Sequence, residues 1–457
     1  MRSSDPLWSQ LRSGISGIEW PPALRGPAAA LETLVRQFEE SEWRDPAAIA
    51  DAQFRQLRRL AAHAGINSSH FAARLHKAGL RGSELGTMDA LRTLPLLTRR
   101  ELQSPSGDVH CREVPSDHLP IHENRTSGSA GEPVIVKRTA VCRLFWLANT
   151  MREYFWHERD FSLRFTAIGL QFHNHVVRQD WGEPANLLFA TGASQLIPAS
   201  TDIAQQVAWL AEFDPHVLVA YPIVLDAVLH YCATHDVRLP HLKLIRSISG
   251  ALPPRLREEA RALFGAKLVD NYSSEEVGII AVECPDGDGY HVMSESVIVE
   301  ILDEHNTPAP PGETGRVVIT DLHNFATPLI RYEIGDYAEA GAICSCGRGL
   351  PTLKRIAGRQ RNWVRMPHGK RFYPRLGYTK LRDIAPVQQY QIVQHDLQRV
   401  EARLVTERPL TAEEVANLRT YIHHALGHPF DVTFSYFLDR LPRVANGKFE
   451  EFVCLVP

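Results

Sequence analysis

The stretch Asn124-Arg-Thr-Ser-Gly-Ser-Ala-Gly-Glu-Pro133 sets three hydroxyl side chains and two glycines between a basic residue and a proline. Glycine lets backbone N–H groups approach an anion closely, and Thr126, Ser127 and Ser129 add donors that carry no fixed charge. Such a segment can wrap a phosphate chain, and the same composition also suits a solvated turn. The Gly-Lys-Ser/Thr ending of the common phosphate loop of kinases and GTPases is absent. The choice between these readings comes from the rest of the chain.

Four later segments follow in a fixed order: Ser249-Gly-Ala251, Asp270-Asn-Tyr-Ser-Ser-Glu-Glu-Val-Gly278, Pro328-Leu-Ile-Arg-Tyr-Glu-Ile-Gly-Asp336 and Leu441-Pro-Arg-Val-Ala-Asn-Gly-Lys448. Between the last two stand Cys344-Ser-Cys-Gly-Arg348 and Ile356-Ala-Gly-Arg359. On these residues, from roughly 120 to 450, the chain resembles the adenylate-forming (acyl/aryl-CoA synthetase) superfamily and, within it, the phenylacetate–CoA ligase branch.

Bulk properties fit an enzyme of this kind. At about 150 residues per domain, 457 residues suggest roughly three units. A formal net charge of −3 gives no electrostatic case for nucleic acid or an anionic membrane as a partner. No run approaches the roughly 20 apolar residues of a membrane span, and the start lacks a secretory apolar region, so a cytoplasmic location is expected. Seven scattered cysteines, an odd number, argue against a disulfide framework.

The expected fold class is α/β: a large N-terminal domain with mixed and parallel sheets, crossover helices and a β-rich part, then a small mobile α+β C-terminal domain. Apolar periodicity through residues 48–62, with helix-favouring Ala, Leu, Arg and Gln, predicts that the first 110 residues are helical. Apolar runs at Val217–Ala220 and Leu244–Ile248 read as strands, and Ile223–His235 and Pro254–Phe264 as helices, the alternation of a parallel sheet with crossovers. Ser296–Leu302 and Gly315–Thr320 read as strands of the β-rich part, and 412–426 as a helix of the last portion. The expected ranges are 1–110 for the helical part of the large domain, 111–358 for the core and 359–457 for the lid.

The resemblance implies a chemistry: a carboxylic acid is joined to the α-phosphate of ATP, and the acyl group then passes to an acceptor. Charge gathers on phosphate and carboxylate in the transition state, which calls for donors along the triphosphate, a divalent ion and a cation beside the carboxylate. By resemblance, Thr126, Ser127, Gly128, Ser129 and Gly131 hold the β- and γ-phosphates, and Glu276 holds Mg²⁺. Gly250 and Ala251 line the adenine opposite Tyr272, Asn271 meets its amino edge with Ser273 beside it, Asp336 binds the ribose hydroxyls, and Arg359 completes the nucleotide set. Lys448 bridges carboxylate and α-phosphate from the C-terminal domain. The usual Tyr-Gly-x-Ser/Thr-Glu block here has Ser273 for Gly and Glu275 for the hydroxyl residue, so Glu275 is a second candidate for the metal; Val277-Gly278 sets the register in favour of Glu276. Two residues after the Gly358-Arg359 pair stands Arg361, where many relatives have an acidic hinge residue. Outside this register each feature has a plainer reading: a Glu-Glu pair as a solvated helix start, Gly-Asp as a turn, Asn446-Gly447-Lys448 as a hairpin tip.

Cys284, His291, Cys344 and Cys346 offer three thiolates and one imidazole, the number and softness of a closed tetrahedral zinc site, with buried free thiols as the alternative. The acid pocket is expected among the strand ending near Gly169, Gln171–His175 and the 249–251 and 272–276 loops, with Phe172 and Tyr221-Pro222 as an apolar slot and His173 or His175 toward a ring hydroxyl. An aromatic acid is what the resemblance implies. Coenzyme A, a carrier protein's phosphopantetheine arm and an amine all stand as acceptors, and an amide-forming ligase or a non-catalytic adenylate-binding protein as alternatives.

Overall fold

The computed structural model describes residues 8–104, 106–125, 134–250, 252–287, 289–359, 364–367, 371–372, 378–438, 441 and 452–456. The N-terminal part is helical as its periodicity predicts: α1 (Pro27–Ser41), α2 (Pro46–Asn67), α3 (Ser69–Ala78), α4 (Met88–Thr93) and α5 (Arg99–Leu102). Asp45 caps α2 by accepting from the Ala47 N–H, with Pro46 in the first turn where its missing N–H costs nothing. Ser68 caps α3, and Gly79 ends it in the left-handed region. These helices do not form a core of their own. Phe54, Leu57 and Leu60 of α2 pack with Phe71, Leu91 and Leu94 onto Ile298, Leu322 and Ile330 of the β-rich part. Each such fully buried Leu or Phe contributes about 1.5–3 kcal/mol.

A short ribbon, β1 (Ile121–Arg125) and β2 (Ile135–Thr139), brackets the first motif and leads into α6 (Ala140–Trp156), capped by Thr139. The alternating section then supplies β3 (Phe165–Gly169), β4 (Val176–Arg178), α7 (Ala185–Leu188), β5 (Ser194–Pro198), α8 (Ile203–Phe213), β6 (Val217–Ala220), α9 (Pro222–Thr234), β7 (Leu244–Ser247), α10 (Arg255–Phe264) and β8 (Lys267–Ser274). The β-rich section follows with β9 (Gly278–Glu283), β10 (Tyr290–Val292), β11 (Val297–Leu302), β12 (Thr314–Asp321), β13 (Tyr332–Ala340) and β14 (Thr352–Arg359).

All but the first two of these strands lie in one mixed sheet, in the order β11-β12-β13-β14-β10-β9-β8-β7-β6-β3-β5-β4. Neighbours from β5 through β3, β6 and β7 to β8 run parallel, and β8-β9, β9-β10, β10-β14 and β11-β12 run antiparallel. Strands β3, β5 and β6 are almost wholly buried because helices cover both faces, which is why β6 reads as a continuous apolar run.

By contact density the chain divides into two units, the second made mostly of residues 357–457. Taken by itself, that unit holds the two-residue strands β15 (Val364–Arg365) and β16 (Arg371–Phe372), α11 (Tyr378–Ile384), β17 (Val387–Gln394), β18 (Arg399–Thr406), α12 (Ala412–Leu426), β19 (Asp431–Phe437) and β20 (Phe452–Cys454). Its sheet order is β19-β18-β17-β20. Thr411 and Glu414 form a capping box at the start of α12, and Gly427 ends it. Leu418, Ile422 and Leu426 close on Tyr390, Ile392, Leu404 and Phe430. Among the described residues no helix is long and apolar enough to cross a membrane.

Candidate functional site

The strand order locates a crevice. From β3 the chain goes outward to β5 and then returns to place β6 on the other side of β3. Open α/β sheets bind ligands outside the C-terminal ends of their strands where the order reverses in this way. At that end of β3 the Leu170 N–H donates to Tyr221 Oη at 3.5 Å, so the phenol spans the mouth between β3 and β6. Burial pushes the pKa of this hydroxyl up, and the nearby Glu275 charge adds to the rise. Just past β7, Ser249 sits at φ 56°, a left-handed conformation that residues other than glycine adopt uncommonly. A Cβ on the next residue, Gly250, would lie 3.2 Å from Pro222 Cγ, so the turn is packed against the start of α9.

At the end of β8 the sequence block becomes a hairpin into β9, with Tyr272 opposite Ala281, Ser274 opposite Gly278 and a register shift between Tyr272 and Ser273. The plainer reading of Glu275-Glu276 as a solvated helix start does not hold; the pair forms the hairpin turn. Its two carboxylates part company. Glu275 is exposed, whereas Glu276 is 2% exposed and faces Arg99 of α5, whose Nη1 lies 3.4 Å from its Oε1. The turn is pinned from β1 and β2: Asn124 Nδ2 donates to the Glu275 carbonyl at 3.3 Å, and Arg138 Nη2 to the Val277 carbonyl at 2.7 Å. Gly278 takes φ +96°. Tyr272 is buried, and so is Asn271, whose Oδ1 accepts no hydrogen bond among the described residues. A buried acceptor left open costs free energy unless a donor meets it, and an adenine amino group is such a donor.

Beneath the hairpin lies a polar network that the sequence alone did not disclose. Tyr290 Oη donates to Asp270 Oδ2 at 2.9 Å, the Asp270 N–H donates to Glu283 at 2.7 Å, and Arg257 Nη2 donates to Glu283 at 2.9 Å. Burial raises the Asp270 pKa from 3.8 to about 7, against the Tyr290 hydrogen bond that lowers it. A carboxyl with a raised folded pKa adds stability that is full below its unfolded pKa and is lost as pH rises through the folded value. Asp270→Asn therefore removes a decline in stability between about pH 4 and pH 7, of the order of a few kcal/mol at most, because one pKa unit is about 1.4 kcal/mol. Denaturant unfolding of both proteins across that range checks this; parallel curves would remove Asp270 as the source.

A second cluster forms where β9, β10 and β14 lie side by side. Cys284 follows β9, His291 is on β10, and Cys344 and Cys346 lie in the turn between β13 and β14. Their ligating atoms all fall within 4.8 Å of one another. Cys284 Sγ and Cys344 Sγ are 3.8 Å apart, and Cys346 Sγ is 3.2 Å from His291 Nε2. A tetrahedral zinc ion with Zn–S bonds of about 2.3 Å has S···S edges of about 3.8 Å. His291 Nδ1 faces the Leu350 carbonyl at 3.2 Å, so that nitrogen donates and leaves the Nε2 lone pair for a metal. Burial lowers the His291 pKa to about 4, which keeps the ring neutral near pH 7. Burial also pushes the Cys284 thiol up to about 12. Burial alone would raise Cys346 as well, but the Arg348 N–H and neighbouring donors outweigh it and hold this thiol below its ordinary value. A Cβ on Gly287 would stand 2.8 Å from Cys344 Sγ, so the close approach of the two turns needs glycine there. The four residues fit a closed zinc site.

Gly250, Asn271, Tyr272, Ser273 and Glu276 thus come to the C-terminal edge of the parallel strands. Asp336 is half-buried in β13, within a segment assigned to the second unit. Thr126, Ser127, Gly128, Ser129, Gly131, Ala251 and Lys448, and the side chain of Arg359, lie outside the described residues. His175 stacks on Trp209 of α8 with centroids 4.1 Å apart and accepts from Gln195 Nε2 at 3.1 Å. Arg331, inside the Pro328–Asp336 motif, has a structural place the sequence did not announce. It takes φ 52°, meets Glu300 at 3.0 and 3.1 Å, and donates to the carbonyls of Arg92 and Leu94.

The AMP-binding enzyme family matches residues 99–326. The chain is similar to the phenylacetate–coenzyme A ligase of Thermus thermophilus, at 24% identity over 322 residues, 67% of this chain and 69% of that one. It is similar to the enzyme of the same name from Escherichia coli, at 23% over 335 residues, 69% and 72% of the two chains. Its fold is similar to that of 2-hydroxyisobutyryl-CoA ligase in the postadenylation state with 2-HIB-AMP, at 19% identity and a TM-score of 0.73 over 91% of each chain. With the switch-point crevice and the Tyr272–Glu276 hairpin, residues 99–326 are those of the AMP-binding enzyme family.

Proposed function

We propose that the protein is an ATP-dependent, AMP-forming acid–thiol ligase that activates a small carboxylic acid, of the aromatic class, as acyl-AMP and transfers the acyl group to coenzyme A. The single observation that carries this reading is the C-terminal edge of the parallel strands, where Ser249-Gly250, Asn271, Tyr272 and Glu276 meet a crevice spanned by Tyr221. In this reading Asn271 meets the adenine amino group, Tyr272 and Gly250 flank the base, and Asp336 takes the ribose. The 126–131 loop cradles the phosphates, and Lys448 places a positive charge between carboxylate and α-phosphate. Mg²⁺ at Glu276 offsets phosphate charge, in keeping with the one or two carboxylates magnesium takes from a protein. Cys284, His291, Cys344 and Cys346 hold a structural zinc, since four protein ligands leave no open position for chemistry. The ranges 1–110, 111–358 and 359–457 stand as the helical, core and lid parts of this proposal.

Pyrophosphate release with a panel of aromatic and aliphatic acids, repeated with coenzyme A, with carrier protein and with amines, tests it. Acid-dependent pyrophosphate and a coenzyme A thioester are expected. Product with amines alone would make it an amide-forming ligase, and no acid-dependent pyrophosphate would leave a non-catalytic adenylate binder.

The two hairpin carboxylates provide an internal comparison. Glu276→Gln lowers magnesium-dependent turnover by roughly 10²-fold, the scale of losing one preorganised charge-stabilising group, and Glu275→Gln, exposed, lowers it far less. A magnesium titration of both variants decides. A greater loss in Glu275→Gln would move the metal to that residue.

A further inference from the structure

Beside the Cys344–Cys346 turn the chain buries a cation against two indoles. Arg348 stands two residues after Cys346, and its backbone N–H lies 3.5 Å from Cys346 Sγ. Its guanidinium carbon is 4.7 Å from the ring centroid of Trp43 and 4.6 Å from that of Trp156. Nε donates to Glu42 Oε1 at 2.9 Å, and Nη1 to Asp286 Oδ2 at 3.3 Å, two residues after Cys284. One side chain therefore touches both turns that carry the sulfur ligands. The other end of this contact lies far away in sequence. Glu42 directly follows α1, is 4% exposed, accepts from Trp156 Nε1 at 3.0 Å through Oε2, and takes the Gly349 N–H on its carbonyl at 2.8 Å. Trp156 in turn meets the His291 ring edge-on at 5.6 Å.

A guanidinium is planar, and its donors point in fixed directions. With Nε tied to Glu42, Nη1 on Asp286 and two indoles packed against the guanidinium, the plane of Arg348 is set. Without the Glu42 carboxylate the buried cation loses the nearer of its two carboxylate partners, and the side chain and the 344–348 turn lose a contact that orients them. We propose that Glu42 is a positioning residue of the metal centre, acting through Arg348 to hold Cys344 and Cys346 in ligating geometry. This rests on the assignment of Cys284, His291, Cys344 and Cys346 as zinc ligands.

The test measures zinc affinity of the full-length protein by competition with a chromophoric chelator, at a temperature where circular dichroism shows each variant folded. Glu42→Gln, which keeps the shape and removes the charge, weakens zinc binding by roughly 10–100-fold, the usual effect of losing an outer partner of a metal ligand. Arg348→Lys, which keeps the charge and loses the fork, does the same and carries the test should Glu42→Gln not fold. The double variant loses no more than either single one, because both act through one contact. Glu300→Gln is the control. Glu300 holds Arg331 in a separate buried pair at 3.0 and 3.1 Å without touching Glu42, Arg152 or Arg348, and its loss leaves zinc affinity unchanged. Zinc-loaded wild type with an unaltered affinity in Glu42→Gln, or in Arg348→Lys where only that variant folds, or an equal loss in Glu300→Gln, overturns the proposal. A wild type that binds no zinc overturns the ligand assignment itself.

Discussion

Lys448→Ala lowers acyl-adenylate formation by roughly 10²–10³-fold while thioester formation from supplied acyl-adenylate survives much better. The factor is the one found when a single preorganised donor is removed from developing charge, about 2.7–4 kcal/mol of transition-state stabilisation. The lysine ends the Leu441–Lys448 segment, and its proposed work is confined to the first half-reaction, where carboxylate and α-phosphate, both anionic, must be drawn together. Once the acyl-adenylate exists that repulsion has been overcome, so the second half-reaction no longer needs this cation. Acid-dependent pyrophosphate release and thioester formation from synthetic acyl-adenylate, measured on the same preparation, separate the two. An equal loss in both would mean that the substitution damages folding or domain closure.

Cys346→Ser lowers the melting temperature by on the order of 10 °C and leaves the protein with much less than one zinc per chain. A closed site binds the folded chain far better than the unfolded one, so its binding energy becomes folding energy. Serine lacks the soft thiolate, and the loss of several kcal/mol shifts melting by about 2–4 °C per kcal/mol in a domain of 150–250 residues. Stripping the wild type with a chelator gives a similar shift, and adenylation well below the new melting point changes little, since the cluster ties two turns of the β-rich section and not the hairpin of Glu276. Metal analysis after growth without added zinc, with calorimetry of both proteins, checks it. A metal-free wild type that melts normally would reduce the four residues to thiols and a packed histidine.

Where residues act through their own neighbourhood, the sequence was readable. Val217–Ala220 forms a strand over the range read from its apolar run, and the helices read at 223–235, 254–264 and 412–426 form within one residue of those ends. The periodicity over 48–62 extends to a helix from Pro46 to Asn67 because Asp45 and Pro46 start it earlier. Where partners are far apart it was not. That Glu276 is buried and Glu275 exposed follows from a hairpin between β8 and β9, two neighbours in a sheet whose order no local pattern states. Asp270 and Tyr290 look like ordinary polar residues until three strands bring them together. Arg331 sits in a motif, yet what fixes it is Glu300 and two carbonyls of the helical N-terminal part. For the phosphate loop and Lys448 the motif itself carries the whole assignment.

The contact between Glu42 and Arg348 spans 306 residues, and that distance bears on how the chain matures on the ribosome. A ribosome delivers α1 and α2 early, but the counter-ion of Glu42 and the cation that packs on Trp43 emerge only after three-quarters of the chain has been made. Cys346, which completes the sulfur set, arrives two residues sooner. Until then the nascent chain carries the Glu42 carboxylate without Arg348 as counter-ion and the Trp43 indole without the cation that packs on it. The sulfur set of the proposed zinc site and the ion pair beside it are thus completed in the same late stretch of synthesis, before the last hundred or so residues have emerged.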